Sequence, residues 1–388
     1  MSQVFKSRIY KKSQEKNINC LFILEEARFG GPQIYMLNLL YLLKQSMNVK
    51  LVFPEKYSGR LIQACEHNEI TYDTLKIQTL SLKPVNLLKY IVNFGFDIYK
   101  TSVYIGKVKP RTVYIAGGSW QFRSVISALI MRSRVVWHLN DTNMHPIILF
   151  IFRILSRYAS GIIYASEKTK FYYKPLIKDV KKTRVIPSPV SNRFFHRQNN
   201  AVEKPKFDIN VVTVANISPV KGFELLVDVA RLCKSNVPVH FFVVGSVFET
   251  QNAYYNKITD LIDKLELTNI TFLGSSDNVD QVLSNMDIYF CSSVAESSPI
   301  AVWEAMAKGL PIVSTDVGDV KKYVEAYGAG FIRNDASSIA SILLNLAERR
   351  DKLETMRTAS NKCASENFSQ HKCTESHIDF LKYLGAEK

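Results

Sequence analysis

Cysteine is scarce and scattered: Cys20, Cys65, Cys233, Cys291, Cys363 and Cys373 are the six in 388 residues, and no two form a CxxC pair. A disulfide framework would cluster them, so free thiols in a reducing compartment are expected. Cys363, His371, Cys373 and His377 crowd near the C-terminus, but they match no zinc spacing and read as coincidence. Long apolar runs are also missing. The best candidate, "MHPIILFIFRILSRYASGIIYAS", is broken by Arg153 and Arg157, whereas a spanning helix needs about 20 uninterrupted apolar residues. The opening "MSQVFKSRIYKKSQEKN" is basic but carries no apolar segment or small-residue cleavage site, so a signal peptide is not expected. A cytoplasmic protein follows. There is no GxGxxG, which argues against a dinucleotide-dependent dehydrogenase. No Asp-x-Asp occurs either, so a metal-bridged diphosphate is not favoured and no metal site or cofactor is expected.

What remains is an ordinary globular composition, 47% hydrophobic and 22% charged, on a chain long enough for two domains. The net charge of +15 is unevenly placed. Residues 1–200 hold 31 Lys and Arg against 11 Asp and Glu, while residues 201–388 hold 19 against 24. A basic half beside a mildly acidic one suggests that one domain meets an anionic surface or substrate; solvated surface lysine is the plainer alternative. Nucleic acid is not expected as a partner, because no recognition motif or aromatic-basic platform accompanies the charge.

Short apolar runs alternate with amphipathic stretches, the rhythm of βα units around parallel sheets. Strands are expected at 18–24, 49–54, 112–117, 135–139, 161–166 and 184–188, then at 210–217, 239–245, 270–274, 287–293 and 311–318. The fold class is therefore α/β, with two doubly wound Rossmann-like domains. The polar stretch "SNRFFHRQNNAVEKPKFD" reads as the linker. The expected division is 1–200, 201–368 and a C-terminal helix at 369–388.

Ligands of doubly wound sheets sit beyond the carboxyl ends of the strands, so the strand-exit loops carry the candidate residues. Gly30 and Gly31 with Pro32 open a helix after the first strand, where free amides suit a phosphate; a plain tight connection is the alternative. His138 ends a strand and could orient a hydroxyl or accept a proton, although a lone histidine is often structural. Ser166 and Glu167 read as a helix cap. Asn216 lies at the next relevant exit, with Lys221 beyond it as a point charge for a phosphate. Gly245 and Gly274 are backbone walls or ordinary turns.

In "AESSPIAVWEAMAKG", Ser297 or Ser298 is expected to cap a helix and Pro299 to begin it, leaving the amides of Ile300 and Ala301 free. Glu296 lies just before that helix and Glu304 about 7–8 Å inside it along the axis. Carboxylates repel phosphate but accept from sugar hydroxyls, so a diphosphate on the amides and Lys221 would have a sugar-binding carboxylate on either side. The competing reading makes Glu296 a helix-dipole partner and Glu304 a solvent-facing residue.

These residues resemble the GT-B glycosyltransferases of the large retaining family 4, glycosyl transferases group 1. "ESSPIAVWE" is similar to the family's Glu-x7-Glu motif and "VANISPVKG" to its Gly-Arg-x4-Lys-Gly loop; the block "SSVAESSPIAVWEAMAKGLPIVSTDVGD" and the early Gly-Gly loop add to it. The resemblance is strong over 208–335 and loose before. It implies a GT-B fold whose last helix returns to the N-terminal domain. It implies a hexosyl transfer with retention from a UDP- or GDP-sugar donor to a saccharide or lipid-linked acceptor, in cell-surface polysaccharide (capsule or lipopolysaccharide) synthesis. It further implies that Glu304 binds the donor ribose, Glu296 contacts the transferred sugar, Lys221 neutralises the leaving diphosphate and His138 lies near the reacting centre. Asn216 stands where the family often has arginine, and Ser297 where glycine often follows the first glutamate. A non-catalytic nucleotide-sugar-binding protein and a sugar-nucleotide epimerase are the alternatives. The basic half, with "YYKPLIKDVKKTR", is expected to face anionic lipid on the cytoplasmic side of the inner membrane.

Overall fold

The computed structural model describes residues 19–80, 84–177, 182–196, 209–234 and 239–385. The N-terminal basic stretch lies outside them, as do residues 197–208 of the expected linker and 178–181 of the basic segment. The chain divides into two compact units. The first comprises Met1–Tyr164, Tyr173–Arg184 and Ile378–Lys388, and the second Ala165–Tyr172 and Val185–His377.

In the first unit β1 (Cys20–Ile23), α1 (Gly31–Ser46), β2 (Val49–Pro54), α2 (Gly59–His67) and β3 (Tyr72–Leu75) wind one way from the centre. The chain then reverses through α3 (Pro84–Val108), β4 (Thr112–Ala116), α4 (Phe122–Ile130), β5 (Arg134–Leu139), α5 (Pro146–Leu155) and β6 (Gly161–Tyr164). After α6 (Glu167–Tyr173), β7 (Thr183–Val185) completes a seven-stranded sheet of order β3-β2-β1-β4-β5-β6-β7. Side chains on β1, β4 and β5 are almost wholly buried because helices cover both faces of a parallel sheet, which is why these strands read as continuous apolar runs. The strand order reverses between β1 and β4, which pair in parallel.

The second unit repeats the plan with β8 (Ile209–Val214), α7 (Phe223–Leu232), β9 (Val239–Val244), α8 (Asn252–Lys264), β10 (Ile270–Gly274), α9 (Val279–Ser284) and β11 (Ile288–Cys291). Then come α10 (Ile300–Ala307), β12 (Ile312–Ser314), α11 (Val320–Tyr327), β13 (Gly330–Ile332), α12 (Ala336–Glu348) and α13 (Arg350–Asn367). The sheet order is β10-β9-β8-β11-β12-β13, with its reversal between β8 and β11. Two apolar cores flank it, one around Trp303, Phe368 and Tyr289, the other around Phe223, Phe241 and Phe290. The last helix, α14 (Gln370–Gly385), ends within the first unit. There Gly161 leaves room for it: a Cβ at that position would lie 2.9 Å from Phe380 and from Leu384.

All six cysteines are buried and free. Among the described residues, no group of three or more His, Cys, Asp or Glu is arranged to hold a metal ion. Also among them, no helix is long and apolar enough to cross a membrane.

Candidate strand-exit site of the second unit

The carboxyl ends of β8, β9, β10 and β11 are stitched together by loop hydrogen bonds. After β8, the Ala215 amide donates to Val244 O at 2.9 Å and that of Ile217 to Ser246 O at 3.0 Å. Asn216 Oδ1 accepts from the Ser246 amide at 3.3 Å. The Gly245 amide donates to Gly274 O at 2.8 Å. Gly245 is required by this closeness, since a Cβ there would fall 1.9 Å from Ala215 O. Gly274 takes φ +71° but faces open space.

A short 3-10 turn, Pro219–Lys221, leads to Gly222 at φ +64°, which ends the turn and caps α7. A Cβ at Gly222 would lie 2.2 Å from Ser292 O. The turn therefore lies directly on the loop that follows β11: Val294 N donates to Val220 O at 2.8 Å, and Ser292 Oγ to Lys221 O at 2.8 Å. This seam brings Lys221 Nζ onto Glu296 Oε1 as a hydrogen-bonded ion pair. Ser293 Oγ donates to the same oxygen at 3.0 Å.

The helix after Glu296 starts one residue later than its sequence suggests. Pro299 is the N-cap, and no side chain caps it. Ser298 instead accepts from Trp303 Nε1 at 3.0 Å and from the Ser188 amide at 3.2 Å, which spends its oxygen on positioning the loop. Ile300 and Ala301 open α10, so their amides have no intrahelical acceptor and carry the positive end of the helix dipole. Ser297 needs no left-handed backbone; its carbonyl abuts Gly318, where a Cβ would come within 2.5 Å of Ser297 O.

Glu304 is not the solvent-facing residue of the competing reading. It is 9% exposed at the fifth residue of α10. No described residue hydrogen-bonds its carboxyl group, and burial pushes its pKa from 4.5 to about 8, with Arg193 opposing and Asp280 adding to the rise. At the other end of α10, Lys308 donates to the carbonyls of His196 at 2.8 Å and Arg193 at 3.3 Å.

Sequence reasoning missed the support for this loop. Thr315 Oγ1 donates to Ser293 O at 2.6 Å. Asp319 accepts from the amides of Glu167 at 2.7 Å and Lys168 at 3.1 Å, capping α6 from a distant stretch of chain. Ser166 does cap α6 as expected, accepting from the Thr169 amide at 3.0 Å. The signal for Thr315 and Asp319 was available in "STDVGD", another strand exit at the same sheet edge.

In the first unit, Gly30 is the N-cap of α1 and Pro32 lies in its first turn, as read. Gly30 is extended, and a Cβ at Gly31 would meet nothing within 4 Å, so local packing does not demand glycine at either position. His138 lies where it was expected, next to last in β5, and the fold adds that its side chain is buried. It sits opposite Ala116 and Ile163, at 1% exposure. Its ring packs 4.9 Å from that of Tyr35 and 6.0 Å from that of Tyr114. Unforeseen below the Gly-Gly loop is a buried network in which Arg123 binds Glu25 at 2.9 Å and Asp97 at 3.1 Å.

Comparison with known proteins bears on the family and the fold. The profile described as glycosyl transferases group 1 matches residues 192–362. A putative colanic acid biosynthesis glycosyltransferase, WcaL of Salmonella typhimurium, is 26% identical over 205 residues, covering 50% of this chain and 48% of that protein. A trehalose synthase of Thermococcus litoralis is 25% identical over 60% of this chain and 59% of its own. The chain thus spans about half the length of the curated relatives it matches. Among solved structures, Anabaena Alr3699/HepE in complex with UDP-glucose superposes with a TM-score of 0.79 at 18% identity, covering 94% of this chain and 99% of that one. The fold is thereby the two-domain α/β arrangement called GT-B, and residues 192–362 match the glycosyl transferases group 1 family.

Proposed function

We propose that the chain transfers a sugar from a nucleoside-diphosphate sugar to a saccharide or lipid-linked saccharide acceptor, with retention and without a metal ion. The observation that carries this reading is the grouping of the Lys221–Glu296 pair, the first amides of α10 and the buried Glu304 carboxyl at one strand-exit edge. Phosphate oxygens suit the amides and Lys221. Glu304, when ionised, can accept from two vicinal ribose hydroxyls, which would supply the hydrogen bonds that no described residue gives it. Glu296 is then placed to contact the transferred sugar once Lys221 turns to the diphosphate.

Rupture of the anomeric C–O bond builds negative charge on the diphosphate and positive charge on the sugar. Fixed amides and an ammonium at the diphosphate stabilise the first, and the Glu296 carboxylate the second. Asn216 is tied to the Ser246 amide and brings no charge, so Lys221 is the cation of this edge in the proposed reaction. Gly30 and Gly31 remain the proposed acceptor or phosphate loop. His138, buried among aromatic rings, is given a packing role. The donor is proposed as a UDP-sugar because the Anabaena neighbour holds UDP-glucose, and the product as a cell-surface polysaccharide because of the colanic acid relative.

The test is a screen of purified protein against UDP-, GDP- and ADP-sugars, with and without membrane lipid extract, reading released nucleotide and product mass. Acceptor-dependent release that is lost in Lys221→Ala and Glu304→Ala supports transfer. Binding without turnover would point to a carrier, and turnover without acceptor to an epimerase or hydrolase.

A further inference from the structure

The first unit carries an apolar surface that its own fold does not cover. On α3, Val85, Leu88, Val92, Phe96, Tyr99 and Val103 recur at spacings of three and four and are all exposed, Val92 at 73%. They form one stripe along the helix, while Tyr90, Asp97, Thr101 and Ile105 face inward. On α5 and the turn after it, Ile147, Phe150, Ile154 and Tyr158 repeat the spacing, with Phe150 65% exposed. α3 packs on α4 and α4 on α5. Right-handed crossovers from β3 through β6 put these three helices on the same face of the sheet. The exposed Ile130 and Met131 at the end of α4 extend the patch between the two stripes.

The charges in this layer have one sign. Residues 84–166 contain ten Lys and Arg but only two acids, Asp97 and Asp141. Neither acid offers a repelling charge at the surface: Asp97 is buried against Arg123, and Asp141 accepts from Ser119 at 2.9 Å and from Tyr173 at 2.5 Å. Lys89, Lys107, Lys109, Arg153 and Arg157 are exposed on the same helices and their ends.

We infer that the outer face of α3 and α5 docks in the headgroup region of an anionic lipid bilayer. Apolar stripes flanked by lysine and arginine suit a surface that is oily beneath and negatively charged at its boundary. A second copy of the chain fits less well, since a two-fold contact would set this cationic face against itself. The helices lie on the bilayer and do not cross it. This assigns the lipid contact to α3 and α5; of the segment at 172–184 that the sequence pattern suggested, residues 178–181 lie outside the described ones. The inference stands on the first unit alone and does not depend on the proposed transfer.

The experiment is vesicle co-sedimentation of the full chain with phosphatidylcholine alone and with phosphatidylglycerol added, at low and high salt. Wild type should pellet with the anionic vesicles and be released by salt. Val92→Glu, Phe96→Glu and Phe150→Glu should each weaken binding by about tenfold, while Tyr41→Glu, an exposed position on α1, should not. Each replaced side chain is exposed, and an unchanged melting temperature confirms folding. Equal binding to both vesicle types, or no loss in the three variants, overturns the inference. So does failure to pellet combined with a dimer that Phe96→Glu dissociates, which would assign the face to a second copy. Donor binding measured without lipid should be the same in all variants, so its failure would count against the transfer reading alone.

Discussion

Replacing Glu304 with glutamine should remove a pH-dependent destabilisation that the wild-type protein carries. The carboxyl is 9% exposed and its pKa is raised from 4.5 to about 8, chiefly by burial. Below pH 4.5 both folded and unfolded chains hold the proton, so the group costs nothing. Between 4.5 and 8 the unfolded chain releases the proton while the folded one keeps it, and stability falls as pH rises, by about 1.4 kcal/mol per unit. Above 8 the loss is complete, with a ceiling of about 5 kcal/mol from the two pKa values. The isosteric Glu304→Gln variant does not titrate at this position, so its advantage over wild type should grow from about pH 5 to about pH 8.5. At about 2–4 °C per kcal/mol, a melting-temperature gap of at least about 5 °C should open across that range. Differential scanning calorimetry of the two proteins in matched buffers reads it directly. Parallel curves for wild type and variant would falsify the argument that Glu304 is a desolvated carboxyl. Under the proposed function, a ribose would then favour the ionised form, so UDP should raise the wild-type melting temperature more at about pH 8 than at about pH 6 and have little such pH dependence in the variant.

Gly222→Ala should be destabilising by about 2 kcal/mol or more, since it combines a left-handed backbone at φ +64° with a Cβ 2.2 Å from Ser292 O; urea unfolding measures it. Gly245→Ala should cost more than Gly274→Ala in the same assay, because the first Cβ meets Ala215 O at 1.9 Å and the second meets nothing within 4 Å, leaving about 1 kcal/mol of backbone strain. An equal cost at the two positions would contradict the packed-exit geometry. Lys221→Ala should change stability by no more than about 1 kcal/mol, as its ion pair with Glu296 is partly exposed. The same variant should lower kcat/KM for the donor by about 100-fold or more if the ammonium stabilises the leaving diphosphate; steady-state kinetics that leave it unchanged would remove Lys221 from the mechanism.

Most strands were legible because burial on both faces writes itself into a parallel strand as an unbroken apolar run: β2, buried along most of its length, begins and ends where the sequence placed it. The partly exposed edge strand β10 was also placed to the residue, its apolar run closed by Gly274. The two that went unread have no such run. β3 is a half-buried edge, "YDTL", and β13 is three residues long. The helix start near Pro299 was legible to within one residue, but the task of Ser298 was not, because its partners Ser188 and Trp303 meet it only in the folded loop. For His138 the place late in a strand was legible, but its packing was not, because the Tyr35 ring beside it comes from a helix far earlier in the chain.

The α/β class, the doubled βα rhythm and the spacing of Glu296 and Glu304 are written in residue order alone, since hydrophobic period and turn residues are local properties. Other features came from the folded chain: that Glu304 is buried, that Lys221 meets Glu296, and that α3 and α5 turn apolar stripes outward. Burial and pairing depend on which residues distant in sequence come to surround a group, and that is set by how the strands order themselves in the sheet and by what covers each helix face.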